Sequence, residues 1–281
     1  MRRMRMRHKT IRRLKLFGVR IFLALLACLV LYPLLWMALF SFGNPGISGG
    51  AAALLPGSLA LGGYRAVFET TPFFLWLRNS FAVASIQTAL QVLVGYLAAY
   101  AFARFPFPGR SALFYFVLAT MVIPAQALMI PMFVTINSLK MINTWAGVIV
   151  PFIASGYAIF MLRQFLREVP QALVDSAKVD GCDEGGILWH IYLPLSIPPV
   201  AALAVILFVN HWNEYYWPLL VLNEEASMTL PIALVRFKNE GIIEWMPTLA
   251  AATLATAPVV AIFLATQKSF VEGFAASGIK G

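Results

Sequence analysis

Long apolar runs separated by short polar stretches dominate the chain. Runs near residues 19–42, 79–103, 111–134, 145–162, 195–222 and 247–267 reach or approach the ~20 apolar residues a helix needs to cross a bilayer. Six membrane-spanning helices are therefore predicted. Pro124 and Pro131 interrupt the third run, and Pro198, Pro199 and Pro218 the fifth. Proline is tolerated inside a membrane helix where neighbouring helices or water satisfy the carbonyls it frees, so kinks are expected there.

The polar stretches are unlike one another. Residues 43–77 carry GNPGISGG and LLPGSLALGGY, Gly-rich sequence that predicts a turn-prone external connection. Residues 223–247 alternate charged and apolar positions and are long enough to touch a partner outside the membrane. The stretch 163–194 predicts two short helical pieces. Pro170 suits a helix start, and Leu173, Val174 and Ala177 form an apolar stripe at helical spacing, with Lys178 and Asp180 on other faces. Gly181 permits a turn that a residue with a Cβ resists. Asp183 and Glu184 open the second piece, where negative charge is favoured. Ile187, Leu188, Ile191 and Tyr192 give it an apolar face, and Pro194 is expected to end it before the fifth span.

Composition supports a membrane reading. Of 281 residues, 60% are hydrophobic and 12% charged, with a mean hydropathy of +0.80. That is too few charges to cover a water-soluble globule of this size. The fold class is all-α integral membrane. The first run is too long for the apolar core of a signal peptide, and Tyr32, Pro33, Trp36 and Phe40 occupy the half where a cleavage site would lie. Two cysteines, Cys28 and Cys182, do not make a disulfide framework.

Charge fixes an expected orientation. Nine of the 21 Lys and Arg precede residue 21, although the net charge is only +9. That run reads as a cytoplasmic anchor against anionic lipid; a nucleic-acid arm would need a basic, aromatic-interleaved domain, and none follows. With the N-terminus inside, those nine join Arg104, Arg110, Arg163, Arg167, Lys178, Lys268 and Lys280 in the cytoplasm. Only Arg65, Arg78, Lys140, Arg236 and Lys238 remain outside. Both termini and the stretch 163–194 are expected to be cytoplasmic. The chain divides into a basic segment, 1–18, and a single transmembrane domain, 19–281, without internal repeat.

Few residues carry candidate chemistry. Asn210, His211, Asn213, Glu214, Tyr215, Tyr216 and Trp217 cluster in the fifth run, and a carboxylate there must face a partner or water. Aromatic faces, amides and a carboxylate suit a sugar pathway, which makes Asn210, Asn213, Glu214, Tyr215 and Trp217 pathway candidates. The same residues also suit glue between helices or an aromatic interface belt. His8 and His190 lack the Cys, His or carboxylate neighbours of a metal site, so no metal is expected. Gly273 and Gly278 have P-loop spacing, but Ile279 stands where the P-loop lysine belongs, so nucleotide is not expected to bind here. No catalytic residue is nominated. The stretch 163–194 suits either an amphipathic helix on lipid or a surface for another protein. Its five carboxylates, Glu168, Asp175, Asp180, Asp183 and Glu184, would face an anionic leaflet and favour the second reading.

The spacing Asp175-Ser176-Ala177, then Gly181, then Ile191-x-Leu193-Pro194 resembles the cytoplasmic motif of permease subunits of binding-protein-dependent ABC importers. That family's pattern is Glu-Ala-Ala, three residues, Gly, nine residues, Ile-x-Leu-Pro; Asp175 and Ser176 depart from it in identity, not in size or charge class. Residues 121–151, the stretch NHWNEYYWPLLVLN and the tail QKSFVEGFAASGIKG are similar to the carbohydrate-uptake branch, most of all to the maltose-type second permease. The resemblance implies a type I importer domain: six spans with a coupling-helix elbow between the fourth and fifth, in a bacterial-type inner membrane. It implies a second, homologous permease subunit, two ABC ATPase subunits gripping Asp175, Ser176, Ala177, Gly181, Ile191, Leu193 and Pro194, and an extracytoplasmic solute-binding protein touching Glu240, Glu244 and Trp245. It also implies a carbohydrate substrate and no cofactor in this chain, since ATP and Mg2+ would be bound by the ATPases. Two other classes are the alternatives. A secondary transporter of a small polar solute would show inverted-repeat symmetry, and a membrane enzyme would need convergent catalytic groups where only Glu214 and His211 are near one another.

Overall fold

The computed structural model describes the backbone of residues 2–43, 60–239 and 242–278, and side chains within 16–43, 60–235 and 244–267. The architecture is helical. Among the described residues four helices are long and apolar enough to cross a membrane alone: Leu16–Phe40 of α1 (Arg2–Phe40), α3 (Phe73–Arg104), Glu184–Trp212, and Trp245–Gln267 of α13 (Trp245–Gly278). Two bent pairs raise the possible count to six. These are α4 (Arg110–Thr120) with α5 (Ala125–Ser138), bent by 95°, and the segment Trp145–Phe152, which contains α6 (Trp145–Ile149), with α7 (Gly156–Leu166), bent by 48°.

The breaks have local causes. Pro124 takes an extended backbone and has no N–H to continue the helix from Thr120, so the third run is broken, not merely kinked. In the fourth, Ser155 is an N-cap whose hydroxyl accepts the Ala158 N–H at 3.3 Å, starting a new helix after Pro151.

The fifth span differs most from its expected bounds, 195–222. It runs from Glu184 to Trp212 as α9 (Glu184–Ile187), a π-turn over Leu188–Tyr192, and α10 (Leu193–Trp212). Pro194 therefore does not end a separate piece. The π-turn, with Leu193 N–H bonded to the Leu188 carbonyl, lets the chain pass a proline that an ideal α-turn would set against the His190 carbonyl. At the far end Asn213 stops the helix, and α11 (Tyr216–Val221) follows as a separate short helix.

The chain forms two compact units, Met1–Thr71 with Phe237–Leu254, and Pro72–Arg236 with Ala255–Gly281. In the first, α2 (Gly62–Thr70) replaces part of the expected turn-rich connection. Ser41 and Tyr64 share a 2.7 Å hydrogen bond, and a Cβ on Gly63 would lie 2.8 Å from the Met246 carbonyl oxygen.

In the second unit α3 is central and packs mainly against α7 and α10. Its polar residues Asn79, Ser80, Gln87, Thr88 and Gln91 are buried, whereas Phe74, Phe81, Leu93 and Leu97 are exposed. That inversion suits a helix with lipid on one side and protein on the other. A Cβ on Gly95 would come 2.9 Å from the Ala158 Cβ, so this glycine sets how closely α3 and α7 approach. The stretch after α11 holds α12 (Leu230–Ala233). The two-residue antiparallel pair, Lys238–Asn239 with Ile242–Ile243, belongs to the first unit.

Candidate functional site

The polar stretch after α7 folds as an elbow. Pro170 precedes α8 (Gln171–Val179) in extended backbone. The helix ends in a Schellman arrangement: Gly181 N–H bonds to the Lys178 carbonyl at 3.1 Å and Cys182 N–H to the Ala177 carbonyl at 2.9 Å. Gly181 has φ +83°, the left-handed region, and nothing lies within 4 Å of where a Cβ would stand. The glycine answers a conformational demand, and the space outside it is open. Asp183 then caps α9, its Oδ1 accepting the Gly186 N–H at 2.7 Å.

The motif residues divide by direction. Ala177, Ile191 and Leu193 pack against a core in which Val174, Ile187 and Tyr192 meet Tyr96, Ala99 and Tyr100 of α3 and Leu162 and Leu166 of α7. Val174 and Ile187 are fully buried, each contributing on the order of 1.5–3 kcal/mol. Asp175, Ser176, Gly181 and Pro194 face outward. Their polar groups are quiet: Gln171 Nε2 donates to Asp175 Oδ1 at 2.9 Å, and the Ser176 hydroxyl donates back to the Ala172 and Leu173 carbonyls. Leu173, expected on the apolar stripe with Val174, is instead 44% exposed, and Val179 and Trp189 of the elbow are exposed too. The elbow is anchored by one side and on the other presents small and apolar groups among exposed charges, Asp175, Lys178, Asp180 and Asp183.

Arginines gather at the same end of the unit. Arg163 Nε donates to the Phe102 carbonyl at 3.2 Å, and its guanidinium carbon lies 3.9 Å from the Phe114 ring centre. Arg110 donates to the Ala103 carbonyl at 3.3 Å.

The pathway candidates gather at the break after α10. Asn210 and Asn213 are exposed, and Asn213 Nδ2 returns to the Val209 carbonyl at 2.8 Å. Glu214 is half-buried, and its Oε1 accepts the N–H groups of Tyr216 and Trp217, so this carboxylate caps α11. Tyr215 is half-buried, with Tyr216 edge-on to it at 5.6 Å. Trp217 stands apart. It is 1% exposed and donates its indole N–H to the Gly147 carbonyl at 3.1 Å, which makes it a core side chain. Of the outer candidates, Glu240 lies outside the described residues. Glu244 and Trp245 are exposed at the start of α13.

A mid-span polar chain escaped sequence reasoning. Gln91 Nε2 donates to the Phe152 carbonyl at 2.6 Å, and Gln91 Oε1 lies 3.1 Å from His211 Nε2. It joins α3, the break in the fourth span and α10. Thr88 is buried next to it with an unpartnered hydroxyl. The signal was available: Gln87, Thr88 and Gln91 are three polar residues on one face of an apolar run. Among the described residues no cluster of three or more His, Cys, Asp or Glu is placed to hold a metal.

Residues 91–274 match the family described as "Binding-protein-dependent transport system inner membrane component". Over 262 residues the chain is 33% identical to the arabinooligosaccharides transport system permease protein AraQ of Halalkalibacterium halodurans, covering 92% of this chain and 94% of that one. It is 33% identical to the lactose transport system permease protein LacG of Rhizobium radiobacter, covering 91% and 93%. It is 36% identical to the sn-glycerol-3-phosphate transport system permease protein UgpE of Salmonella typhi, covering 78% and 81%. The fold is that of a chain in a crystal structure of a bacterial ABC transporter involved in the import of alginate, with a TM-score of 0.80 at 21% identity, covering 90% of this chain and 96% of that one.

Proposed function

The chain belongs to the family of binding-protein-dependent transport system inner membrane components, and from that premise we propose that it is one permease half of an ATP-driven carbohydrate importer. The observation that carries the mechanism is the divided elbow. A segment rooted in α3 and α7 by Val174, Ile187 and Tyr192, with Asp175, Ser176, Gly181 and Pro194 turned outward, suits a lever pushed by a soluble partner. The partners are two ATPase subunits, which bind ATP and Mg2+ and contact α8 and the Gly181 turn. A homologous permease completes the pathway, and an external binding protein delivers the solute.

The arginine-rich end shared with the elbow supports an elbow in the cytoplasm, with both chain termini on that side. ATP binding would close the ATPases, draw the two elbows together and rotate the helix bundles to open the outer side to the loaded binding protein. The named solutes of the relatives, arabinooligosaccharides, lactose and glycerol 3-phosphate, are polyhydroxylated. The exposed amides of Asn210 and Asn213, with Glu214 and Tyr215, offer this chain's hydrogen-bonding groups to such a solute. Trp217 is assigned to the core instead. Glu240, Glu244 and Trp245 are the proposed contacts for the binding protein.

Affinity purification of the chain from its native membrane is the test. Recovery of a second permease and an ATPase, with uptake of a sugar identified on the binding protein by a ligand panel, is the expected result. Uptake by the lone chain driven by an ion gradient would overturn it. Orientation is checked separately: the exposed Cys182 should react with a membrane-impermeant thiol reagent only from the cytoplasmic side.

A further inference from the structure

One carboxylate in the elbow, next to the cap Asp183, ties two other elements together. Glu184 is the first residue of α9, and its side chain is gripped from two directions. From α3, the Tyr100 hydroxyl donates to Glu184 Oε2 at 3.2 Å and lies 3.4 Å from the Glu184 carbonyl oxygen, while Arg104 Nη2 is 3.5 Å from Oε1. From α8, Lys178 Nζ is 3.3 Å from the same Oε1. The two cations are in different settings. Lys178 has a half-exposed side chain, where an ion pair contributes little, whereas the Arg104 side chain is 14% exposed. Arg104 Nε is also buried without a hydrogen-bond partner. The Glu184 side chain is 42% exposed, so the pair is desolvated on the guanidinium side only; removing the carboxylate would still leave that enclosed charge without its partner.

We propose that Glu184 is a positioning residue that latches the elbow to α3, so that displacement of α8 reaches the transmembrane bundle through Tyr100 and Arg104. This rests on the reading of the elbow as the ATPase-driven lever. The apolar contacts of Val174, Ile187 and Tyr192 hold the elbow in place, but apolar surfaces slide. Charge-assisted hydrogen bonds fix direction and register. Glu184 lies immediately beyond the Gly181 turn, at the joint between α8 and the helix that continues as the fifth span. A carboxylate there joins three elements at one point: the lever, the fifth span and α3.

The experiment uses the full complex with Glu184→Gln, and with the exchanged pair Arg104→Glu plus Glu184→Arg. In proteoliposomes, Glu184→Gln is expected to retain its ATPase subunits but to lower solute uptake per ATP hydrolysed by about fivefold or more, the lower range of coupling between linked sites. The exchanged pair is expected to recover part of that loss. A second measurement does not depend on ATPases. In a background with Cys28→Ser and Cys182→Ser, spin labels at Val179 and Leu97, both exposed, should report one narrow distance in the parent chain and a broadened distribution in Glu184→Gln. An unchanged distribution overturns the latch, as does loss of ATPase subunits from the variant, which would make Glu184 a docking residue. If the label distances broaden but the parent complex itself fails to couple ATP to uptake, the latch stands as structure and the importer reading falls.

Discussion

The indole N–H of Trp217 donates to the carbonyl of Gly147 at 3.1 Å, joining α11 to α6 across 70 residues of sequence. Both partners are buried, and a Cβ on Gly147 would collide with the Met141 carbonyl and approach Val221 Cγ1 to 3.0 Å. Trp217→Phe keeps the ring contact with Phe152 but strands the Gly147 carbonyl. A loss of about 1–3 kcal/mol is expected, seen as a lower unfolding temperature in detergent. Uptake per folded transporter is expected to be unchanged, because Trp217 is 1% exposed and its indole N–H is spent on Gly147. Selective loss of uptake with normal stability would return Trp217 to the pathway.

Gly181 at φ +83° separates strain from collision. Gly181→Asn, which tolerates the left-handed region, should retain uptake. Gly181→Leu pays about 1–2 kcal/mol of backbone strain and projects bulk where a partner would dock, so it should lose ATPase subunits or uncouple ATP turnover from uptake while still inserting into the membrane. Normal subunit content and normal transport by Gly181→Leu complexes would remove the docking role from this turn.

Gln91→Leu deletes the donor to the Phe152 carbonyl and the partner of His211. Polar contacts between membrane helices average about 0.6 kcal/mol and reach ~2 kcal/mol. The 2.6 Å bond and the burial of Gln91 place this one toward the upper end. Thermal unfolding of the detergent-purified complex measures it, and His211→Leu should show the smaller effect because Phe152 keeps its donor.

Asn143 fastens the connection after α11. At φ +60° its Oδ1 accepts the Asn223 and Glu224 N–H groups at 2.6 and 3.1 Å, and its Nδ2 donates to Glu224 Oε1 at 3.0 Å. Asn143→Ala removes every side-chain bond and places a less tolerant residue in the left-handed region. Amide exchange over 223–229 should accelerate markedly, whereas Asn143→Asp, which keeps the acceptor, should show an intermediate rate. Equal exchange in all three forms would mean that Trp76 and Asn79, which bond the Glu225, Ala226 and Met228 carbonyls, hold the segment unaided.

The elbow shows how far residue order reaches. Pro170, Gly181 and Asp183 each act within a few residues of themselves, so the start of α8, the turn that ends it and the start of α9 were all legible in sequence; Asp183, expected there for its charge, caps the helix through its Oδ1. Pro194 misled because its effect depends on whether the preceding turn can widen, and the π-turn at Leu188–Tyr192 does so. Leu173 and Val174 are adjacent and both apolar. Only the position of α3 and α7 decides that Val174 is enclosed and Leu173 is not.

By itself the sequence determined a polytopic helical membrane protein, because about 20 apolar residues in a row have no other stable resting place. It also determined the motif that marks the elbow. Tertiary structure decided what each polar group is for. Glu214 caps α11, Trp217 donates from the core to the Gly147 carbonyl, and Glu184 meets Tyr100 and Arg104. The physical reason is that hydrophobicity is carried by a run of residues along the chain, whereas a hydrogen bond needs its partner within about 3 Å, and here those partners lie up to 150 residues away.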